Sequence, residues 1–249
     1  MPQPRFADAR HRQFALGLLG VYLLIWTSLA IKPLYRADWL LENVLVAIAV
    51  PMLVATYHRL PLSRISYAML FIFFCIHAVG SHYTYAEVPY DDWTRRLFGT
   101  SLGEAAGWDR NHYDRFVHLM YGLLIVYPVR ELFLRVADAR GFWGYFFPLL
   151  VVMSSSLAYE LLEWGAAFVF GGELGMAYLG TQGDVWDAHK DSLLATGGAL
   201  AATLVIAAVH SSFDRDFGRD WSQSLTVKNP DPLGEAAIGR YLNERENAP

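Results

Sequence analysis

Three pairs of ionisable residues at helical spacing carry the chemistry that this sequence can offer. Asp114 and His118 are four residues apart, Glu160 and Glu163 three, Asp187 and Asp191 four. Residues three or four apart share one face of a helix. Each pair lies in or beside an apolar stretch, where lipid rejects charge, so the three faces are expected to turn inward and meet. Carboxylates and a histidine converging from several helices are the raw material of metal sites in helical bundles, and they also suit acid–base work. Asp114, His118, Glu160, Glu163, Asp187 and Asp191 are therefore the candidate catalytic residues. His82, His112, His118, Glu163 and Asp187 are the candidate ligands of a divalent metal ion, with His82 and His112 as additional ligands or proton carriers. Mixed nitrogen and oxygen ligands suit zinc, manganese and iron alike.

Blander readings stand beside these. Asp114 in a first turn is favoured by the helix dipole, and Asp184 has the place of an N-cap with Asp187 at N3. His118 alone reads as a hydrogen-bonded interior histidine, which its pairing with Asp114 balances. His77, deeper in an apolar stretch, reads as a packed, hydrogen-bonded residue. Glu160 and Glu163 need partners inside a span, and Arg110, Arg115, His118 or a cation can serve. Arg130 and Glu131 read as a structural pair or as snorkelling ends. His11, His58 and His210 sit at interfaces and are given no role. Gly171-Gly172 and Gly180-Thr181-Gln182-Gly183 read as a loop. The chain has no phosphate-binding G-x-x-x-x-G-K-[ST] pattern, no HExxH and no CxxC. Its lone cysteine, Cys75, excludes an intrachain disulfide and reads as a small packing residue.

Six stretches position these residues: about 13–31, 39–57, 65–81, 115–135, 142–170 and 187–210. A helix needs about 20 apolar residues to cross a bilayer, and each stretch meets or approaches that. Composition agrees. The 249 residues are 54% hydrophobic, 15% aromatic and 18% charged, against about 25% charged in soluble domains. The mean hydropathy of +0.24 indicates membrane helices joined by polar loops. It excludes a disordered chain and a collagen-like repeat, and it argues against a soluble enzyme. With 20 basic and 24 acidic residues there is no basic excess to neutralise phosphates, so nucleic acid is not an expected partner. The expected fold is all-α: a polytopic transmembrane bundle of about six spans in a lipid bilayer.

The positive-inside rule, applied to the short loops, places both termini in the cytoplasm. Five helix ends then deliver His, Asp and Glu to the outer face, together with Trp26, Trp39, Trp93, Trp108, Trp164 and Trp186, six of the eight tryptophans. The first stretch resembles a signal peptide, with Ser28-Leu29-Ala30 as a small-x-small site, but its apolar run continues to Ile31, which favours an uncleaved anchor. Residues 1–212 are expected to form the transmembrane domain and 213–249 a polar cytoplasmic tail. The tail contains Asn229-Pro230-Asp231-Pro232 and a weak helical pattern at Leu233, Ala236, Ala237 and Tyr241.

Several motifs resemble one family. They are His82-Tyr83-Thr84-Tyr85-Ala86-Glu87-Val88-Pro89, the run from Arg110 to His118, Tyr127-Pro128-Val129-Arg130-Glu131, Tyr159-Glu160-Leu161-Leu162-Glu163-Trp164, and the run from Leu179 to Ala188. Over about residues 40–210 the chain is similar to the YjdF family of bacterial inner-membrane proteins. His189 departs from the family pattern, which has Gln there. The resemblance implies location in the inner membrane and architecture, without an activity. A weaker likeness, in the order Asp-x-x-x-His, Glu-x-x-Glu and Asp-x-x-x-Asp, is to VanZ-like membrane proteins, and it implies a site near the outer leaflet concerned with envelope or lipid components. Three functions fit the residues: a metal-dependent or acid–base membrane enzyme acting on a lipid head group or small solute, a solute or ion binding or transport protein, and a polar network that only fixes the bundle.

Overall fold

The computed structural model describes residues 9–170, 181–228, 232 and 234–246. The Gly171-Gly172 loop, and residues 229–231 and 233 of the expected tail pattern, lie outside the described residues. Among the described residues there are ten helices and no strand: α1 (Ala9–Leu29), α2 (Arg36–Thr56), α3 (Arg64–His82), α4 (Tyr90–Phe98), α5 (Leu102–Ala106), α6 (Tyr113–Val136), α7 (Trp143–Phe170), α8 (Asp187–Phe213), α9 (Phe217–Ser224) and α10 (Glu235–Glu246). Six of them, α1–α3 and α6–α8, are long and apolar enough to cross a membrane. Large apolar side chains point away from the protein, Leu24 at 71% exposure and Leu204 at 60%, as lipid-facing positions do. Pro51, Pro128 and Pro148 lie inside these helices, which membrane helices tolerate.

The bundle is two triples. Tyr22, Val46 and Ala78 join α1, α2 and α3, and Cys75 packs against them as expected. Val126, Val152 and Ala199 join α6, α7 and α8. The two triples meet where α3 packs on α6. The closest approach is between α6 and α8. A β-carbon at Gly122 would collide with the Ala195 carbonyl, and one at Gly198 with the Leu119 carbonyl. Without water to drive association, membrane helices gain from such small-residue contacts.

At one end of the bundle Glu131 accepts from Ser63 N (2.9 Å) and Ser66 Oγ (2.6 Å), and pairs with Arg135 (2.7 Å). The pair expected between Arg130 and Glu131 is not formed. Adjacent helical residues face about 100° apart, and Arg130 turns instead to α7 and α8. His11 and His210, expected to do nothing, both make bonds. His11 Nε2 donates to Leu62 O (2.9 Å), and His210 Nδ1 accepts from Tyr145 Oη (2.9 Å). At the same end α9 fastens onto the start of α7: Trp143 Nε1 donates to Ser224 O (2.7 Å) and Trp221 packs on Phe142. The weak pattern at Ala236, Ala237 and Tyr241 forms α10.

Candidate functional site

The other end of the bundle gathers the polar residues. It comprises the C-termini of α1, α3 and α7 and the N-termini of α2, α6 and α8. α6 brings Asp114 and His118, α8 brings Asp191, and α7 brings Glu160 and Glu163. Ligand atoms of Asp114, His118 and Asp191 lie within 4.8 Å of one another. Atoms around one small cation sit about 3–3.5 Å apart, so small rotations close the group on an ion. Glu160 Oε1 faces His118 Nε2 at 3.3 Å, and Asp114 Oδ1 faces it at 3.7 Å. Glu163 lies in the field of Asp114, Glu42, Glu160 and Asp191. Two oxygens in the group, Asp191 Oδ1 and Glu160 Oε1, are sealed from solvent without a hydrogen-bond partner. Among the described residues no Lys or Arg lies within ion-pair distance of Glu42, Asp114, Glu160, Glu163 or Asp191.

The nearby cations are engaged one layer further out. Arg110 grips Asp187 with two nitrogens, Nη1–Oδ1 at 2.7 Å and Nη2–Oδ2 at 3.3 Å. Arg115 reaches Asp184 (2.5 Å) and Asp187 (3.2 Å), and Lys190 reaches Asp184 (2.6 Å). Asp187, only 4% exposed, is thus held by two guanidiniums rather than turned toward His118. Asp184 makes a capping-type bond in the turn that leads into α8: its Oδ1 accepts from Trp186 N (3.0 Å) and its carbonyl from Asp187 N (3.2 Å). α8 begins at Asp187 with Trp186 at its cap and no side-chain capping bond. The other Asp184 oxygen, Oδ2, faces Arg115 and Lys190, and such charge-assisted bonds are about twice as strong as neutral ones.

Its hydrogen bond from Lys190, helped by Trp186 N and Arg115, holds the Asp184 carboxyl down at about 2 from the ordinary 3.8. A depressed carboxyl stabilises the fold above its ordinary value and loses that contribution as pH falls through the depressed one. This clasp is therefore expected to persist at mildly acidic pH and to open only near about 2. A carboxyl-carbon NMR titration should give that midpoint for Asp184, and Lys190→Met should raise it.

His82 and His112 lie outside the group. His82 Nδ1 donates to Leu29 O (2.6 Å), tying α3 to α1. His112 stacks on Trp108 with ring centres 4.5 Å apart and faces Arg115 Nη1 at 3.4 Å. Burial, then the Arg115 charge, pushes the His112 imidazole below its ordinary value.

α2 and the turn after α3 add residues that spacing analysis passed over. Glu42, 4% exposed, accepts from Tyr159 Oη at 2.7 Å. His77 Nε2 donates to the Glu42 carbonyl (3.2 Å), so Nδ1 is the acceptor, and Tyr85 Oη donates to it (2.5 Å). Tyr85 reaches inward because Thr84 (φ 54°) and Tyr85 (φ 51°) are both left-handed, a strained geometry for such residues. Its ring then fills the space a β-carbon at Gly80 would need. One signal for Glu42 was present: Asp38 and Glu42 are also four apart in an apolar stretch.

A family model described as predicted membrane protein (DUF2238) matches residues 14–212. The chain is 36% identical over 197 residues to inner membrane protein YjdF of Escherichia coli strain K12, an alignment that covers 79% of this chain and 89% of that protein. No solved structure matches it.

Proposed function

This chain belongs to the DUF2238 family of membrane proteins, and from that premise we propose that it holds a divalent metal ion on Asp114, His118 and Asp191. It is an integral, multi-pass membrane protein with six spans, and its 36% identical relative is named for the inner membrane. The carrying observation is a group of carboxyls and one histidine with no Lys or Arg in ion-pair reach among the described residues. A cation answers that imbalance, and the sealed oxygens of Asp191 and Glu160 would gain a partner from it. Buried charge without a partner is costly. The ion would supply an activated water, and Glu160 beside His118, with Glu163 next to it, would serve as the acid–base groups. Asp187 orients the mouth through Arg110 and Arg115.

The positive-inside rule puts this end of the bundle outside and both termini in the cytoplasm. The substrate is thus a polar part of an envelope or lipid component approaching from the outer leaflet. A second reading, an ion or proton relay, is favoured by one feature: Asp38 and Glu42 extend the carboxyls beyond what one ion needs, and both Asp38 oxygens are sealed and unpartnered.

Metal analysis of the purified chain tests the first reading. About one divalent ion per chain is expected, lost in His118→Ala and Asp191→Asn and kept in Glu163→Gln, with helical circular dichroism unchanged in all. A wild-type chain free of stoichiometric metal would overturn it.

A further inference from the structure

Arg130 is the buried charge that the carboxyl group does not explain. It lies 16 residues from Asp114 on α6, about 24 Å along the helix, at the opposite end of the bundle. Its side chain is 8% exposed, and its Nε is sealed without a hydrogen-bond partner. It therefore does not snorkel to water. Arginine keeps its charge in any protein setting, so a counter-charge is required. Its neighbour Glu131 cannot supply one, being held by Ser63, Ser66 and Arg135. Asp214 acts on His210 and Tyr145 through its field, but among the described residues no carboxylate lies within ion-pair distance of Arg130.

The side chains in direct contact with Arg130 are neutral. Its guanidinium carbon lies 4.4 Å from the centre of the Tyr145 ring, and its Nη2 donates to His210 Nδ1 at 3.2 Å. A nitrogen that accepts from a guanidinium carries no proton, so Tyr145 Oη also donates to Nδ1 (2.9 Å). His210 consequently carries its proton on Nε2, on the far side of the ring from the guanidinium. The group thus presents donors and positive charge, and no acceptor of matching charge.

We propose that Arg130, braced by His210 and Tyr145, binds a phosphate-class oxyanion at this end of the bundle. The planar guanidinium fork matches phosphate oxygens, and His210 Nδ1, by accepting from Nη2, sets the direction of that fork. Tyr145 is a positioning residue: its hydroxyl fixes the His210 tautomer and its ring supports the cation. α9 covers the group through Trp221, whose ring centre is 5.8 Å from that of Tyr145. The ends of α6, α7 and α8 here lie where a membrane meets water, so the oxyanion comes either from a phospholipid head group or from free phosphate.

Thermal unfolding of the full chain in a neutral maltoside, titrated with phosphatidylglycerol in mixed micelles or with inorganic phosphate, tests this. Phosphatidylcholine serves as the lipid control. A saturable rise in Tm is expected in at least one of the two anion arms, and the responding arm identifies the source. Arg130→Met should weaken the apparent affinity at least tenfold, and His210→Leu, which keeps the guanidinium but removes the acceptor that orients it, at least threefold. Should Arg130→Met fail to fold, His210→Leu alone decides. Absence of a Tm response in both arms, or a wild-type response in His210→Leu, overturns the proposal.

Discussion

Gly122→Leu is expected to abolish the folded bundle, and the proposed metal site with it. Even a β-carbon there would meet the carbonyl of Ala195 and the amide of Ala199, which are backbone groups of α8 that no rotamer can move aside. Overpacking a core costs about 1–3 kcal/mol where side chains can shift. Here two helices must separate, so the cost exceeds that range and reaches the scale of a whole domain's stability. Because α6 carries Asp114 and His118 while α8 carries Asp191, the same displacement scatters the three proposed ligands. The measurement is the yield of monodisperse protein after solubilisation, with metal content where protein survives. Gly197→Ala is the matched control. A β-carbon at Gly197 meets nothing within 4 Å, and this variant should behave as wild type.

Arg110→Met has the second largest expected effect. It removes the two-nitrogen grip on Asp187, a carboxylate 4% exposed, and leaves Arg115 at 3.2 Å as its remaining cation. Stripping one partner from a buried ion pair costs on the order of 3 kcal/mol, because the other charge stays buried. The expected result is a large drop in Tm that Asp187→Asn partly rescues, since an amide in that place needs no counter-charge. A double mutant no more stable than the sum of the singles would show that the two side chains do not act as a pair.

Much of the architecture was legible because a bilayer punishes polarity at the wrong depth. The expected last span, about 187–210, is observed as Asp187–Phe213, and the first, about 13–31, as Ala9–Leu29. The Asp114–His118 face was legible for the same reason, since a pair four residues apart at the edge of a span has few places to go. Other features depend on contacts that no local pattern encodes. Asp187 shares its helix face with Asp191, yet two arginines from the chain just before and inside α6 claim it. Arg130 and Glu131 are neighbours in sequence and part company because α3 offers serines on one side and α7 a ring on the other. Tyr85 enters the site through two successive left-handed residues that are not glycine, and nothing in the residue types announces that turn. Glu42 carried the same spacing signal as the chosen pairs and needed only to be weighed with them.

The contact of α6 with α8 has one more consequence. Where Gly122 lies against Ala195 and Gly198 against Leu119, main chain rests on main chain, with no side chain between to yield. Four residues before Ala195 stands Asp191, and eight before Gly122 stands Asp114. The separation of those two carboxyls is therefore gauged by rigid backbones. Magnesium-sized and calcium-sized ions differ by only a few tenths of an ångström in bond length. In the proposed site a gauge of that stiffness would select by ionic radius, and its calibration would reside in two glycines remote from the ligand atoms.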